Sequence, residues 1–384
     1  MLFGATGFTG GLTADYLAAH APGDLRWALA GRNPTKLAAV RDRLAAGNPR
    51  CAGLDLLTVD SADAQRLREV AGSARVVAST VGPYQRQGEP LVAACAGAGT
   101  DYLDLAGEPR FVDEMYLRHH ETAVRTGARL VHACGFDSIP ADLGAYFTVH
   151  QLPEGVPLKV EGFVRGRGRA SAGTVHSVLG IVADLPASQR AQRERRAKEP
   201  RLNDRRARVT GPLPATHPRR GWALSLPTLD PLVVTRSAAA LDRYGPDFQY
   251  GQYLSVRRLA AAAGLVVGAG ALVAAAQLRP VRERILSRWP SGTGPDADQR
   301  RDGWFSVEFT GVGGGQRVLT EVHGDQDPGY GSTAVMFAES ALCLASDPLP
   351  TTAGQVTTAV AMGNALIARL DRAGITFRVR RHWP

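Results

Sequence analysis

Met1-Leu2-Phe3-Gly4-Ala5-Thr6-Gly7-Phe8-Thr9-Gly10 is the stretch that decides the fold. An apolar stub runs into three glycines spaced Gly-x-x-Gly-x-x-Gly, and a helical pattern follows from about Thr9 to His20. That is a strand, a tight turn and a helix. Glycines let the backbone approach a diphosphate, and the N–H groups at a helix start point at it. A glycine triplet alone is weak, because turns use glycine for many reasons. Here a strand precedes it, a helix follows, and a second strand comes about twenty residues later, as a dinucleotide fold requires. Gly4, Ala5, Thr6, Gly7, Phe8, Thr9 and Gly10 are therefore candidate cofactor-binding residues. Only three residues precede Gly4, where a strand usually has about five or six. This predicts a start upstream, with Met1 in place of an interior strand residue such as Val.

Working outward, Arg26-Trp27-Ala28-Leu29-Ala30 reads as the second strand and ends in Gly31-Arg32. A site for NAD usually places Asp or Glu there to hold the ribose 2′-hydroxyl. Arg32 instead offers a guanidinium fork suited to a 2′-phosphate, which points to NADP(H); the plainer reading is a solvated arginine at a strand end. Leu56–Val59 is the third strand. Asp60 closes it, either to accept from the adenine amino group or as a solvent-facing turn residue. Ala74–Thr80 is the fourth strand. It runs into Val81-Gly82-Pro83-Tyr84, which places Thr80, Val81, Gly82 and Pro83 at the nicotinamide side of the crevice. Helical patterns at Gly88–Ala98 and Pro109–Thr126 flank a fifth strand, Tyr102–Leu105, and Arg129–Ala133 is the sixth. The alternation predicts an α/β fold: a Rossmann-type, doubly wound parallel sheet over residues 1–145 with helices on both faces.

The second half has a different pattern. Leu158–Val164 alternates like a half-buried strand, and Gly173–Ala187 is a helix candidate carrying His176, a core or surface histidine or else an acid. Between Arg190 and Arg220, eleven Lys/Arg face only Glu194, Glu199 and Asp204. Proline and glycine inside this tract predict a largely irregular insertion. It is either a mobile solvated loop or a docking surface for an anionic partner, an acyl carrier protein or an acidic membrane. Aromatic residues are nearly absent from it, which argues against nucleic acid. Phe248–Val256 is another strand. Leu259–Leu278 is twenty residues without a charge, bracketed by arginines, with Gly264 and Gly268 as a close-packing pair. It reads as a membrane-associated hairpin, a buried or homodimer-interface helix, or a membrane span. Trp304–Thr310 and Gln316–Val322 flank Gly313-Gly314-Gly315 as a hairpin. A helix from Ser332 or Thr333 to Ala345, a last helix over Gly354–Ala373 and a final strand Ile375–Val379 complete the chain. Residues 146–325 are thus expected to form a second α+β domain, with a mostly antiparallel sheet from strands near 160, 235, 250, 305 and 320. That domain holds the basic insertion (190–220) and the apolar segment (259–278). Residues 326–384 are expected to send helices back onto the first domain.

Composition narrows the class. Of 384 residues, 44% are hydrophobic and 21% charged, with a formal net charge of +9; this describes a globular protein with room for two domains. Cys51, Cys95, Cys134 and Cys343 lie far apart. They read as reduced core residues of a cytoplasmic protein, peripheral at the plasma membrane if the apolar segment meets lipid, and no metal site is expected.

Taken together, several motifs resemble the saccharopine dehydrogenase-like oxidoreductases. They are Gly4–Gly10; Thr80-Val81-Gly82-Pro83-Tyr84 with Gly88 and Leu91–Cys95; Tyr102-Leu103-Asp104-Leu105-Ala106-Gly107-Glu108; Gly135-Phe136-Asp137-Ser138-Ile139-Pro140-Ala141-Asp142-Leu143-Gly144; Asp327–Gly331; and Thr351–Thr358. The resemblance is greatest to the trans-acting enoyl reductase branch found in actinobacteria such as mycobacteria. It implies a two-domain NADP-linked reductase working beside a polyketide synthase that lacks its own enoyl reduction, on a lipid or polyketide enoyl thioester. Two other functions stay open on the residues: a reductase of this fold for another small molecule, and a membrane-associated NADP-binding scaffold without turnover.

Enoyl reduction needs a hydride for the β-carbon, a proton for the α-carbon and stabilisation of the enolate. A Tyr-x-x-x-Lys pair is absent, since Arg32, Gly155 and Glu194 stand four residues before the three lysines. Tyr84 is the best-placed donor, or else a tyrosine packed in the turn after Pro83. Asp137, with Ser138, faces the crevice or caps the helix starting near Ile139-Pro140. Water could also supply the proton.

Overall fold

Runs of apolar β-formers separated by amphipathic helical stretches can bury themselves only as a parallel sheet covered on both faces. The computed structural model describes residues 1–168, 185–200, 205–210, 215–217, 221–225, 228–256 and 300–383, with single positions between 264 and 296. The first half alternates β1 (Leu2–Phe3), α1 (Phe8–His20), β2 (Ala28–Gly31), α2 (Pro34–Gly47), β3 (Asp55–Thr58), α3 (Ala64–Gly72), β4 (Val76–Ser79), α4 (Tyr84–Gln87), α5 (Glu89–Ala98), β5 (Asp101–Asp104), α6 (Pro109–Thr126), β6 (Arg129–Val131) and α7 (Ile139–Val149). Its sheet is ordered β3-β2-β1-β4-β5-β6, parallel throughout. The strand order reverses between β1 and β4, so the ligand crevice opens there.

The second sheet is built from β7 (Leu158–Arg167), β8 (Arg206–Val209), β9 (Ala215–His217), β10 (Gly221–Ser225), β11 (Asp247–Val256), β12 (Trp304–Gly313) and β13 (Gln316–Gly324). After β14 (Gly354–Val356), the last strand, β15 (Thr376–Trp383), closes its far edge. Its pairings are antiparallel except where β11 runs parallel to β7 and β8. β14 instead pairs with β6 and adds a seventh strand to the first sheet. Helix Gly331–Ser346 packs against α1 and β4.

Three expectations are corrected. The segment near 235 is a helix, Asp230–Ala240, and not a strand; its buried positions, Val233, Val234, Ser237 and Ala238, follow the helical period and Pro231 sits in its first turn. The described residues of the basic tract are mostly regular and not largely irregular: it opens in the helix Leu185–Lys198 and supplies the strands Arg206–Val209 and Ala215–His217. Its prolines and glycines fall in the first turn or beyond the helix, and Ala, Arg, Gln and Glu between them favour helix. Gly354–Ala373 is not one helix but β14 followed by two short helices, Thr358–Ala361 and Gly363–Arg372. Gly354 and Gly363 both hold positive φ, +88° and +43°, and so interrupt the helical path. Residues 173–184 with His176, and the apolar stretch 259–278 apart from Gly264 and Gly268, lie outside the described residues. Among the described residues no helix is long and apolar enough to cross a membrane.

One buried carboxylate ties the halves together. Asp142 on α7, fully buried, accepts from the Ser237 hydroxyl, from Thr358 Oγ1 at 2.7 Å and from the Ala359 N–H at 2.8 Å. Burial pushes its carboxyl up and these donors hold it down. Asp142→Ala strands three buried donors and should lower unfolding free energy by about 3 kcal/mol or more. A urea-denaturation midpoint equal to that of the wild type would remove this role.

Candidate functional site

The glycine loop is shaped by close approach. Gly4 holds φ +91°, and its N–H donates to Ala30 O at 2.8 Å. A Cβ on Gly10 would lie 2.2 Å from Gly4 O and 2.8 Å from Thr80 Oγ1, so α1 rests directly on the turn. Thr80 fixes the turn from β4: its N–H donates to Phe3 O at 2.9 Å, and its hydroxyl lies 3.2 Å from Phe3 O and 3.1 Å from Gly4 O. Gly7 occupies the N-cap of α1 and no side chain caps the helix. Its first N–H groups are thus open to an anion. This close-packed turn before an uncapped helix start fits a diphosphate.

Around the cradle, Gly31 ends β2 close to Thr6 Oγ1, and Arg32 is exposed with no partner among the described residues. Asn33 behind it caps α2 by accepting from the Lys36 N–H at 2.9 Å. Asp60 is exposed, and its Oδ1 accepts from the Ala62 N–H at 2.9 Å, an Asx turn entering α3. Val81, Gly82 and Pro83 follow β4 at the crevice edge, with a cis peptide between Gly82 and Pro83. Phe8 packs edge-on to Tyr330, ring centroids 4.8 Å apart. Thr333 Oγ1 accepts from the Phe136 N–H at 3.2 Å. Tyr330 of the turn Asp327–Gly331 thus meets the glycine loop, and Thr333, just beyond the turn, holds the Phe136 backbone.

The two residues expected from sequence to carry the proton sit in different settings. Tyr84 is buried; its hydroxyl donates to Ser79 O at 3.0 Å and accepts from the Leu105 N–H at 3.2 Å. Burial, then the charge of Asp104, raises this phenol well above its ordinary value. Both hydrogen-bonding directions are used within the protein, so the ring clamps the ends of β4 and β5. Asp137 is exposed, its Oδ2 3.4 Å from where a Gly107 side chain would begin. Desolvation by the surrounding protein lifts its carboxyl to about 6. Next to it, the Ser138 hydroxyl is buried with no hydrogen-bond partner among the described residues, and it does not cap α7.

Sequence reasoning missed Asp230. It is the first residue of helix Asp230–Ala240, nearly fully buried, and accepts from the Thr228 hydroxyl. Burial pushes it up to about 8; the Thr228 bond opposes that push, and the charge of Asp137 adds to it. Leu229 and Val233, flanking it, pack in one cluster with Phe3, Tyr84, Ala106 and Phe111, with Val81 at the rim. This helix thus packs at the β4–β5 end of the first sheet, near enough for the charge of Asp137 to act on Asp230. The signal was present in Thr228-Leu229-Asp230-Pro231, a helix-start pattern; the Val233-Val234 pair suggested a strand instead. Among the described residues no group of His, Cys, Asp and Glu is placed to hold a metal ion.

With this geometry in view, comparison with known proteins is direct. Residues 1–131 match the saccharopine dehydrogenase NADP-binding domain. A candidate trans-acting enoyl reductase of Mycobacterium tuberculosis is 39% identical, covering 99% of this chain and 97% of its own. Trans-acting enoyl reductases of Mycobacterium ulcerans and Mycobacterium bovis are 36% and 34% identical with the same coverage. In fold, the chain is similar to the apo saccharopine dehydrogenase (L-Glu forming) of Saccharomyces cerevisiae, with a TM-score of 0.56 at 14% identity over 100% of this chain and 99% of that one.

Proposed function

Since the chain belongs to the saccharopine dehydrogenase-like oxidoreductases, in their trans-acting enoyl reductase branch, we propose that it reduces the carbon–carbon double bond of a lipid or polyketide enoyl thioester held by a separate synthase. It is an NADP-dependent oxidoreductase. The observation that carries the enoyl reading is the likeness along 99% of the chain, second domain included, to proteins named for that reaction.

Bound NADPH supplies the hydride for the β-carbon. The protein does the rest. Gly4, Gly7 and Gly10 with the open start of α1 hold the diphosphate, and Arg32 holds the 2′-phosphate. Thr80, Val81, Gly82 and Pro83 line the nicotinamide end, with Tyr84 positioning that edge. As the β-carbon gains hydride, the double-bond electrons move onto the α-carbon and thioester oxygen. Asp137 then gives its proton to the α-carbon, and Asp230 or water restores it. A carboxyl lifted to about 6 retains enough proton near neutrality for this task.

NADPH oxidation in the presence of short enoyl-pantetheine thioesters, with the saturated thioester as product, tests the reading. Tight NADPH binding with no oxidation on any enoyl thioester would refute it. Arg32→Ala should raise the KM for NADPH on the order of 10- to 100-fold and leave that for NADH nearly unchanged. An unchanged NADPH-to-NADH preference would remove Arg32 from the site.

A further inference from the structure

Helix Leu185–Lys198 carries two kinds of arginine. Arg195 is buried: it pairs with Asp113 on α6 at 3.3 Å and with Glu199 at 2.6 Å, and its guanidinium lies 4.2 Å from the centre of the Tyr116 ring. Arg236 of helix Asp230–Ala240 pairs with the same Asp113 carboxylate. Arg205, farther along the tract, is also tied down, to Asp242 and to the carbonyls of Ala238 and Leu241. A solvated, mobile loop has no use for such anchors, so this helix is held in a set orientation.

Arg190, Arg193 and Arg196 lie on the opposite side. All three are exposed, and none has a hydrogen-bond or ion-pair partner among the described residues. Their spacing of three residues lines them along one side of the helix. Arg195 meets Asp113 and Tyr116 in the first half of α6, the half that leaves the carboxyl end of β5 beside the crevice, so the row is anchored near that end.

We propose that Arg190, Arg193 and Arg196 form the docking surface for an acidic helix of the protein that carries the enoyl thioester, seated so that its tethered acyl group enters the crevice. This rests on the enoyl reductase reading. Charge complementarity selects the partner: three unpaired guanidiniums in a row match a row of carboxylates. A membrane-surface helix would need an apolar face to insert, and the exposed side here offers only Leu185 at its first residue as a large apolar group.

The test compares crotonyl-loaded acyl carrier protein with crotonyl-pantetheine, using the full chain and the variant R190E/R193E/R196E. Arg195 stays in place, and an unchanged melting temperature checks the fold. The expected result is a fall in kcat/KM for the carrier-borne substrate on the order of 30-fold, with the pantetheine thioester within twofold. Carrier binding, read by fluorescence anisotropy without turnover, should weaken equally, and wild-type binding should weaken with salt. Equal losses on both substrates, or carrier binding unaffected by the charge reversal, overturn the docking surface. So does loss of binding to anionic vesicles with carrier turnover intact. Carrier binding that the variant loses, with neither thioester reduced by the wild type, would uphold the surface and reject the reaction.

Discussion

Asp137→Asn lowers kcat for enoyl reduction on the order of 100-fold or more and leaves the dissociation constant for NADPH within about twofold. The substitution keeps the size of the side chain and removes a transferable proton. Asp137 follows β6 beside Gly107 and the buried Ser138 and is no part of the glycine loop, so cofactor binding has no reason to change. The pH profile separates a proton donor from a packing residue. Desolvation lifts this carboxyl to about 6, and the donor must be protonated. Wild-type kcat/KM therefore declines as pH rises through about 6, and the Asp137→Asn profile is low and flat across that window. Solvent deuterium incorporation at the α-carbon continues in the variant at the reduced rate. A variant with wild-type kcat and an unaltered profile would assign the proton to water or to another group.

The sites differed in how readable they were. The NADP-binding domain could be read because its signal is local: Gly4, Gly7 and Gly10, the turn and α1 are neighbours in sequence, and β2 brings in Arg32, the proposed 2′-phosphate partner, about twenty residues later. Backbone approach and a helix start leave a fixed spacing behind. The proposed proton-donating end could be read only on one side. Asp137 follows β6 and so belongs to the crevice by topology, whereas Asp230 arrives from the part of the chain that builds the second sheet, about ninety residues later, on a helix whose Val233-Val234 pair imitates a strand. Position in the chain says nothing about that juxtaposition. The same limit hid the fates of Arg195 and Arg205, which composition counts with the basic surface but which the fold spends on Asp113, Glu199 and Asp242. A charge count cannot distinguish an anchor from a docking residue; only the neighbours on α6 and helix Asp230–Ala240 do. The capture of β14 by the first sheet was hidden for a similar reason: three residues pairing with β6 leave no periodicity to detect.

Gly10→Ala weakens NADPH binding on the order of 100-fold and destabilises the fold by roughly 3 kcal/mol, the upper part of the usual cost of overpacking. The added methyl would stand 2.2 Å from Gly4 O and 2.9 Å from Gly4 C. Those are backbone atoms of the turn, already held by the Gly4 N–H bond to Ala30 O and by Thr80. They cannot rotate aside as a side chain could. Relief requires α1 to lift from the turn, which moves the N–H groups meant for the diphosphate, so stability and affinity fall together. Gly11→Ala is the matched control: nothing but the far end of Arg43 and Ala5 O lies near its Cβ position, at 3.9 and 4.0 Å. It should gain up to about 1 kcal/mol of helix propensity with unchanged NADPH affinity. Protein-fluorescence titration with NADPH and thermal denaturation of both variants measure the two quantities. If Gly10→Ala behaves like Gly11→Ala in both, the turn is not held by the contact between Gly10 and Gly4, and the close approach of α1 is not what builds the cradle.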